Sequence, residues 1–239
     1  MSLPIVVGIT GASGAVYAQR LLAALVHTGH DVHLSISPSG ALVLKQELDL
    51  HVDLANFHIG SLQLDSDRAA ADSRLSMTRE LAGVSTGESH VLSTEPLRLG
   101  EIHYHHYQDF MAPIASGSYL TAGMVICPCS GSTLSAVVHA GGGNLIQRAA
   151  EVHLKERRKL ILVPRETPLS LPQLNNMKLA AEAGAVVLPA SPGWYHGVRT
   201  IRDLVDFVVA RILDQLGVPH SLMQRWGEAT DHGPRTTDS

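Results

Sequence analysis

Cysteine, aromatic residues and excess positive charge are all scarce in this sequence of 239 residues. The two cysteines, Cys127 and Cys129, are too awkwardly placed on one strand to bridge each other, which indicates reduced thiols. Lysine and arginine number 18 against 22 acidic residues, and the net charge of −4 argues against a nucleic-acid-binding protein. Aromatic residues make up only 4%, which also argues against a platform for stacking bases.

Long apolar runs and targeting signals are missing as well. No apolar run approaches the ~20 residues that a membrane span needs, and the start, MSLPIVVGITGASG, lacks the features of a signal peptide. We therefore predict a cytoplasmic protein without a membrane segment. Hydrophobic residues make up 45% of the sequence, enough for the core of one large domain. We assign 1–227 to this domain and 228–239 to a polar, disordered tail.

The stretch 124–168 organises the rest of the chain. Met124–Cys127 and Leu160–Val163 are apolar runs that predict buried strands, and helical segments are expected between them, at about 133–139 and 145–155. Strand, helix and strand in this order predict a parallel crossover, with its chemistry where the strands end. The polar residues at these two strand ends are Ser130, Ser132, Thr133, Arg165, Glu166 and Thr167.

A similar unit stands near the N-terminus. Ile5–Ile9 predicts a buried strand, Thr10–Gly14 a turn, and Ala15–Val26 a helix with Arg20 facing outward. The N-terminus of such a helix can bind an anion. The spacing is neither GxGxxG nor a P-loop, so we expect either the phosphate of a mononucleotide here or a tight turn with no ligand.

The next strand and helix carry two polar residues of interest. The strand is predicted at 31–37, and Ser37 at its end either meets a ligand or caps the following helix. Glu47 lies near the end of that helix, where an acid is unfavourable for the dipole. The position of Glu47 therefore suggests a partner elsewhere in the fold.

Three basic side chains lie at positions that suggest a bound anion. Arg148 and Lys155 are seven residues apart, so they share one face of a helix. The last helix is predicted at 201–216, and Arg211 lies on or beside its apolar stripe and needs a partner there. That partner is either a ligand or a salt bridge to Asp206 or Asp214.

A polar segment at about 57–111 lacks strong periodicity and reads as an insertion with little chemistry of its own. It ends near a histidine-rich run. His103 and His105 would lie on one face of a strand, an arrangement that two ligands of one metal ion require. No carboxylate or thiol cluster completes a site, so we expect no metal.

Several longer motifs resemble the UbiX-type flavin prenyltransferases. They are GITGASG, SGSY before GMVI, PCSGSTLSAV, RAAEVHLKERRKLILVPRETPLSL, and WYH followed by DLVDFVVARILDQLG. The resemblance covers about 3–56 and 112–227. It implies an α/β fold, a flavodoxin-like doubly wound parallel sheet, in a single flavoprotein domain interrupted by the 57–111 segment.

The resemblance also implies an activity. Members of this family bind reduced FMN and dimethylallyl phosphate and join the prenyl group to flavin N5 and C6, without a metal. The prenylated FMN then serves UbiD-type decarboxylases as their cofactor. Members assemble as homododecamers with sites between subunits, so an oligomer is expected here. Whether the donor is the monophosphate or the pyrophosphate stays open.

Matching motifs carry the family's site residues onto this chain. FMN would be bound by Gly11, Ala12, Ser13, Ser37, Ser130, Gly131, Ser132, Thr133 and Arg165. The dimethylallyl phosphate would be bound by Arg148, Lys155, Tyr195 and Arg211. Catalytic roles would fall to Ser13, Glu47, Glu166, Arg148 and Lys155, with Glu166 handling a proton. Trp226 resembles the family's C-terminal tryptophan, which packs onto a neighbouring subunit.

The chain departs from the family at one loop, where Gly197 and Val198 replace the usual Arg-Pro after Tyr-His. Two other functions are compatible with parts of the pattern. An FMN carrier would explain the glycine and serine turns but not the second set of cations. A flavin-dependent cysteine-type decarboxylase needs a histidine in the first helix region, and AVYAQR at 15–20 offers none.

Overall fold

The computed structural model describes residues 2–64, 99–195, 197–223 and 225. In these ranges, six parallel strands form one sheet in the order β3-β2-β1-β4-β5-β6. The strands are β1 (Ile5–Ile9), β2 (Val32–Ile36), β3 (Ile102–Tyr104), β4 (Gly123–Cys129), β5 (Leu160–Pro164) and β6 (Val186–Val187). The helices are α1 (Ala15–His27), α2 (Pro38–Leu48), α3 (Gly131–Val138), α4 (Leu145–Lys155), α5 (Leu171–Glu182) and α6 (Ile201–Leu216).

The inner strands β1, β4 and β5 are apolar on both faces, as is typical of strands covered by helices on each side. β2 is apolar on one face and carries His33 and Ser35 on the other. Every residue of β1, β2, β4 and β5 is buried. Successive side chains point to opposite faces, so one run of apolar residues supplies two cores. This arrangement confirms the predicted doubly wound α/β fold.

Each face of the sheet has its own set of helices. The side chains of Ile5, Val7 and Ile9 pack with α1, α2 and α6. Val6, Met124 and Ile126 point the other way and pack with α3, α4 and α5. Residues carried by α4 and by α6 therefore lie on opposite faces of the sheet, and this separation decides how the predicted site residues are grouped.

The observed elements differ from the predicted ones in a few places. β4 continues through Pro128 to Cys129, two residues beyond the predicted end at Cys127, and its pairing with β5 shifts in register between Ile126 and Cys129. Arg20 was expected to face outward, and this was wrong. Its side chain is only 10% exposed, because it forms an ion pair with fully buried Asp206 of α6, at 2.6 Å.

Several predictions fall on residues outside the described ranges. They concern most of the 57–111 segment, the tail at 228–239, and Trp226. Among the described helices, none combines the length and the hydropathy that crossing a membrane requires.

Candidate active site

The carboxyl ends of the inner strands are tied together by hydrogen bonds at one edge of the sheet. The hydroxyl of Thr10, directly after β1, donates to the carbonyl oxygen of Pro128 at 2.8 Å and accepts from the backbone N–H of Ser130 at 2.8 Å. On the other side of β1, the backbone N–H of Ser37 donates to the carbonyl oxygen of Ile9 at 3.0 Å. The turns after β2, β1 and β4 therefore form one continuous polar surface.

The turn after β1 lies tightly against the start of α2. A Cβ atom added to Gly11 would lie 2.5 Å from the Cβ atom of Ser39, and one added to Gly40 would lie 2.7 Å from the carbonyl oxygen of Ile9. Only glycine fits these two positions without a shift of the backbone. Ser37 caps α2, since its hydroxyl accepts from the N–H of Gly40 at 3.0 Å. The capping role that the sequence allowed for Ser37 is confirmed.

Glu47 belongs to α2, but its carboxylate lies at the N-terminus of α1. One carboxylate oxygen accepts from the backbone N–H of Gly14 at 2.9 Å and from that of Ala15 at 2.8 Å. Burial alone would raise the pKa of Glu47, but hydrogen bonds from Ser13, Gly14 and Ala15 and the charge of Arg165 hold that pKa below its usual value. The suggestion that Glu47 has a partner beyond its own helix is therefore confirmed.

The N-terminus of α1 was expected either to bind the phosphate of a mononucleotide or to be a tight turn with no ligand, and this stays a prediction. In the structure, the backbone N–H groups at this N-terminus are hydrogen-bonded to the carboxylate of Glu47. A helix N-terminus favours negative charge of any source. A ligand phosphate bound by another element at this edge of the sheet would not compete with Glu47.

The start of α3 is such an element. Ser130 caps α3 with its hydroxyl, which accepts from the backbone N–H of Thr133 at 3.3 Å and lies 3.1 Å from the hydroxyl of Ser132. The Ser130 hydroxyl also donates to the hydroxyl of Thr133 at 3.0 Å. Three hydroxyls thus surround the first turn of a helix, beside the turn after β1.

The loop after β5 completes the edge. Arg165 follows β5, reaches past the end of β4, and donates from Nε to the carbonyl oxygen of Ser13 in the turn after β1, at 3.3 Å. Glu166 accepts from the side-chain amide of Gln173 at 3.3 Å. The amide nitrogen of Gln173 would also lie 3.1 Å from a Cβ atom at Gly131, so Glu166 is oriented beside the start of α3.

Sequence reasoning missed two residues that build this edge, Thr10 and Gln173. Thr10 directly follows the buried strand β1. Nothing in the local sequence indicates that its hydroxyl is hydrogen-bonded to Pro128 of β4, which is 118 residues away. Gln173 forms a reciprocal capping box with Ser170 at the start of α5. The S-x-x-Q pattern is a known signal for such a box and predicts where this glutamine lies.

Two of the four predicted donor-binding residues lie at a pocket between β6 and α6. Arg211 lines this pocket, whose volume is about 270 Å³. The ring of Tyr195 packs edge-on against Phe207, which lines the same pocket, with a centroid distance of 5.8 Å. The other lining residues are Val186, Val187, Leu188, Pro189, Ser191, Val208 and Gln215. Of the two salt bridges considered for Arg211, the one to Asp214 is present, at 2.8 Å.

The other two predicted donor-binding residues, Arg148 and Lys155, lie on α4, across the sheet from Arg211. Arg148 is 39% exposed and donates to the carbonyl oxygen of Ala115 at 3.2 Å. Lys155 is 51% exposed and pairs with the neighbouring carboxylate of Glu156. One chain therefore presents two pairs of candidate residues, and its own sheet separates them.

The loop that departs from the family pattern has an unusual backbone. Gly197 adopts φ +76°, in the left-handed region that favours glycine, and an added Cβ atom would meet nothing within 4 Å. An arginine at this position would fit sterically but would strain the backbone. The conformation of this loop therefore agrees with glycine and not with the family's usual arginine.

The histidine-rich run begins in β3, the outermost strand of the sheet, and continues directly after it. His105 is hydrogen-bonded to His33 of β2 at 2.7 Å, and the other ring nitrogen of His33 lies 2.7 Å from the hydroxyl of Tyr119. The pKa of His33 is lowered to about 4, mainly by burial and to a smaller extent by the charges of His105 and His103. Within the described ranges, no group of three or more histidine, cysteine or acidic side chains is arranged to hold a metal ion.

Comparisons with known proteins agree with this architecture. A family model described as Flavoprotein matches residues 1–213. The flavin prenyltransferase UbiX of Halalkalibacterium halodurans is 42% identical over 229 residues, which are 96% of each chain. The crystal structure of AnUbiX in complex with FMN and dimethylallyl pyrophosphate has a TM-score of 0.73 and 31% identity, over 96% of this chain and 100% of that one.

A further solved structure bears on assembly. It is a dodecameric FMN-dependent UbiX-like decarboxylase from Escherichia coli O157:H7, with a TM-score of 0.70 and 31% identity. The match covers 95% of this chain and 100% of that one. These similarities extend over nearly the whole chain, including all the elements that form the polar edge and the pocket.

Proposed function

This chain belongs to the UbiX family of flavin prenyltransferases, and we propose that it joins the dimethylallyl group of dimethylallyl phosphate to N5 and C6 of reduced FMN. The observation that carries this proposal is the polar edge, where Ser13, Ser37, Ser130 and Arg165 meet from four strand ends. The product would be a prenylated FMN, which we propose is used by a UbiD-type decarboxylase.

The residues at this edge fit FMN, the flavin of this enzyme. We propose that the phosphate of FMN lies at the start of α3, because Glu47 already fills the start of α1. The hydroxyls of Ser130, Ser132 and Thr133 and the first N–H groups of α3 are suitable donors to such an oxyanion. When bound, the reduced flavin supplies the nucleophilic N5 and C6 positions.

The protein's own part in the reaction is largely electrostatic. Breaking the allylic C–O bond leaves charge on the departing phosphate, and fixed cations lower that barrier because they need no reorganisation. Arg148, Lys155 and Arg211 are proposed for this role, with Tyr195 as a hydroxyl donor. Glu166, held by Gln173 beside the start of α3, is proposed to move the proton that C6 loses.

We propose that one donor site is shared by two subunits. The sheet separates Arg148 and Lys155 from Arg211 and Tyr195 within a chain, so one phosphate meets both pairs only if a second copy supplies one of them. The exposed side chains of Arg148 and Arg211 are accessible for such a contact. A homododecamer, as in the Escherichia coli relative, provides the required symmetry.

The direct test is the mass of the flavin after reaction. The protein is incubated without oxygen with reduced FMN and dimethylallyl phosphate, and in parallel with the pyrophosphate, and the released flavin is weighed by mass spectrometry. We expect a flavin heavier by one prenyl unit. Unmodified FMN in both incubations, with FMN still bound, would instead indicate an FMN carrier and reject the transferase proposal.

Two variants test the residues. Arg148→Ala and Glu166→Gln are expected to reduce the yield of prenylated flavin strongly, while the affinity for FMN, measured by fluorescence quenching, stays near that of the unmodified protein. Lys178→Ala is the matched control, because Lys178 is 73% exposed on α5 in a loose pair with Glu182 at 3.4 Å. Full product formation by both variants would contradict their proposed roles.

Two further parts of the proposal concern the cell. A cytoplasmic location is compatible with the unpaired thiols of Cys127 and Cys129. The proposed link to a UbiD-type decarboxylase is tested by adding the released product to a purified, flavin-free decarboxylase of that type. Recovery of decarboxylase activity with the product, but not with plain FMN, is the expected result.

A further inference from the structure

Asp214 occupies an unfavourable position in α6. It lies in the last turn of the helix, where the negative end of the dipole disfavours an acid. The carboxylate is nevertheless only 17% exposed and is bonded at both oxygens. One oxygen accepts from Arg211 at 2.8 Å, and the other accepts from His220 at 3.0 Å and from Arg225 at 2.8 Å.

The side chains around Asp214 leave it little freedom. The side chain of His220 is fully buried, and its Nδ1 accepts from the backbone N–H of Leu222 at 3.4 Å. Because Nδ1 accepts this hydrogen bond, the proton of the neutral ring lies on Nε2, which donates to Asp214. Three donors from α6 and the segment after it therefore fix the carboxylate.

The contact to Arg211 connects this cluster to the pocket. The side chain of Arg211 is 45% exposed and lines the pocket beside Phe207. An arginine carries a long, flexible side chain, and ordering it on a ligand costs conformational entropy. A carboxylate fixed on the same helix restricts the guanidinium before any ligand binds, which reduces that cost.

We propose that Asp214 is a positioning residue, which orients Arg211 toward the leaving phosphate of the prenyl donor. The orientation of Arg211 then depends on the chain segment that carries His220 and Arg225, because these two residues hold Asp214 in place. The inference rests on the proposed function, because it takes Arg211 as a ligand of the donor phosphate. It assigns Asp214 no contact with the donor or the flavin.

Two effects of removing the charge of Asp214 have opposite signs. A carboxylate near a phosphate site repels the phosphate, so its removal would strengthen donor binding if charge alone mattered. Loss of the orienting contact would weaken it. Salt does not separate the two effects, because a phosphate bound by Arg211 would lie within the Debye length of about 8 Å at about 0.15 M salt and Asp214 is only 17% exposed. A fall in kcat/KM therefore means that the loss of orientation outweighs the relief of repulsion.

The experiment measures kcat/KM for dimethylallyl phosphate at saturating reduced FMN. We expect Asp214→Asn to lower kcat/KM about five-fold, which corresponds to roughly 1 kcal/mol, with the Kd for FMN unchanged. Asp214→Glu keeps the charge but moves it by one methylene, and we expect a fall in the same direction. Glu182→Gln, a surface acid on α5, controls for the loss of one negative charge.

A double-mutant cycle separates positioning from a general structural role. If Asp214 acts through Arg211, Asp214→Asn has no further effect on kcat/KM once Arg211→Ala is present. An equal fall in both backgrounds, or unchanged or raised kcat/KM in the single variant, would overturn the inference. If Asp214→Asn does not fold, Asp214→Glu carries the same cycle. A wild-type protein that forms no prenylated flavin would contradict the proposed function instead.

Discussion

Replacing Arg20 by methionine tests how α6 is held on the sheet. Arg20 of α1 and Asp206 of α6 form an ion pair at 2.6 Å, and their side chains are 10% and 0% exposed. Methionine keeps much of the apolar length of arginine but removes the guanidinium that pairs with the buried carboxylate of Asp206. Breaking a buried pair in this way costs about 3–5 kcal/mol, against about 0.2–1 kcal/mol for a surface pair.

The assay is urea unfolding at one fixed protein concentration. We expect Arg20→Met to lower the midpoint by roughly 1 M or more, and the double variant Arg20→Met with Asp206→Leu to recover most of the loss, because no buried charge remains. Lys178→Met, which breaks the exposed pair with Glu182, is the matched control. A loss for Arg20→Met no larger than that for Lys178→Met would refute the reasoning.

Three further predictions concern the edge of the sheet and its histidines. Glu47→Gln should lower the free energy of unfolding by about 1 kcal/mol at pH 7. The difference in stability between the variant and the unmodified protein should become smaller as the pH falls below 4.5 and Glu47 is protonated through its lowered pKa. Thermal melts of both proteins at pH 7 and pH 4 measure this difference. Gly11→Ala places a Cβ atom 2.5 Å from that of Ser39 and should weaken FMN binding in a fluorescence titration, whereas Gly60→Ala, with open space, should not. Folding lowers the pKa of His33 from 6.5 to about 4, so the free energy of unfolding should fall as the pH drops from 6.5 toward 4, and should fall less in His33→Asn. Urea unfolding across that pH range measures both proteins. An equal fall in the two would contradict the prediction.

Local sequence patterns were sufficient for most of the elements. The last helix was predicted at 201–216 and observed at Ile201–Leu216, because its apolar stripe has a clear helical period. β5 and the start of α1 also lie where predicted. Ends with weaker signals were less accurate, as at Pro128, where a strand continues through a proline that reads as a turn.

The family was predicted from long motifs, and the comparisons confirm it. Motifs carry this information because a site needs particular residue types at fixed offsets within one turn, such as the hydroxyls of 130–133. The roles of the individual site residues remain predictions. They depend on where each side chain meets a ligand, which a motif alone does not specify.

The sequence by itself determined the alternation of strands and helices, the apolar character of the inner strands, and the family. Only the tertiary structure decided which partners the charged groups take. Arg20 and Asp206 are 186 residues apart, Glu47 is bonded to a turn 33 residues earlier, and the cations of α4 and α6 lie on opposite faces of the sheet. Periodicity reports which face of an element is buried, because that depends on neighbouring residues. Which element covers that face depends on how the whole chain packs.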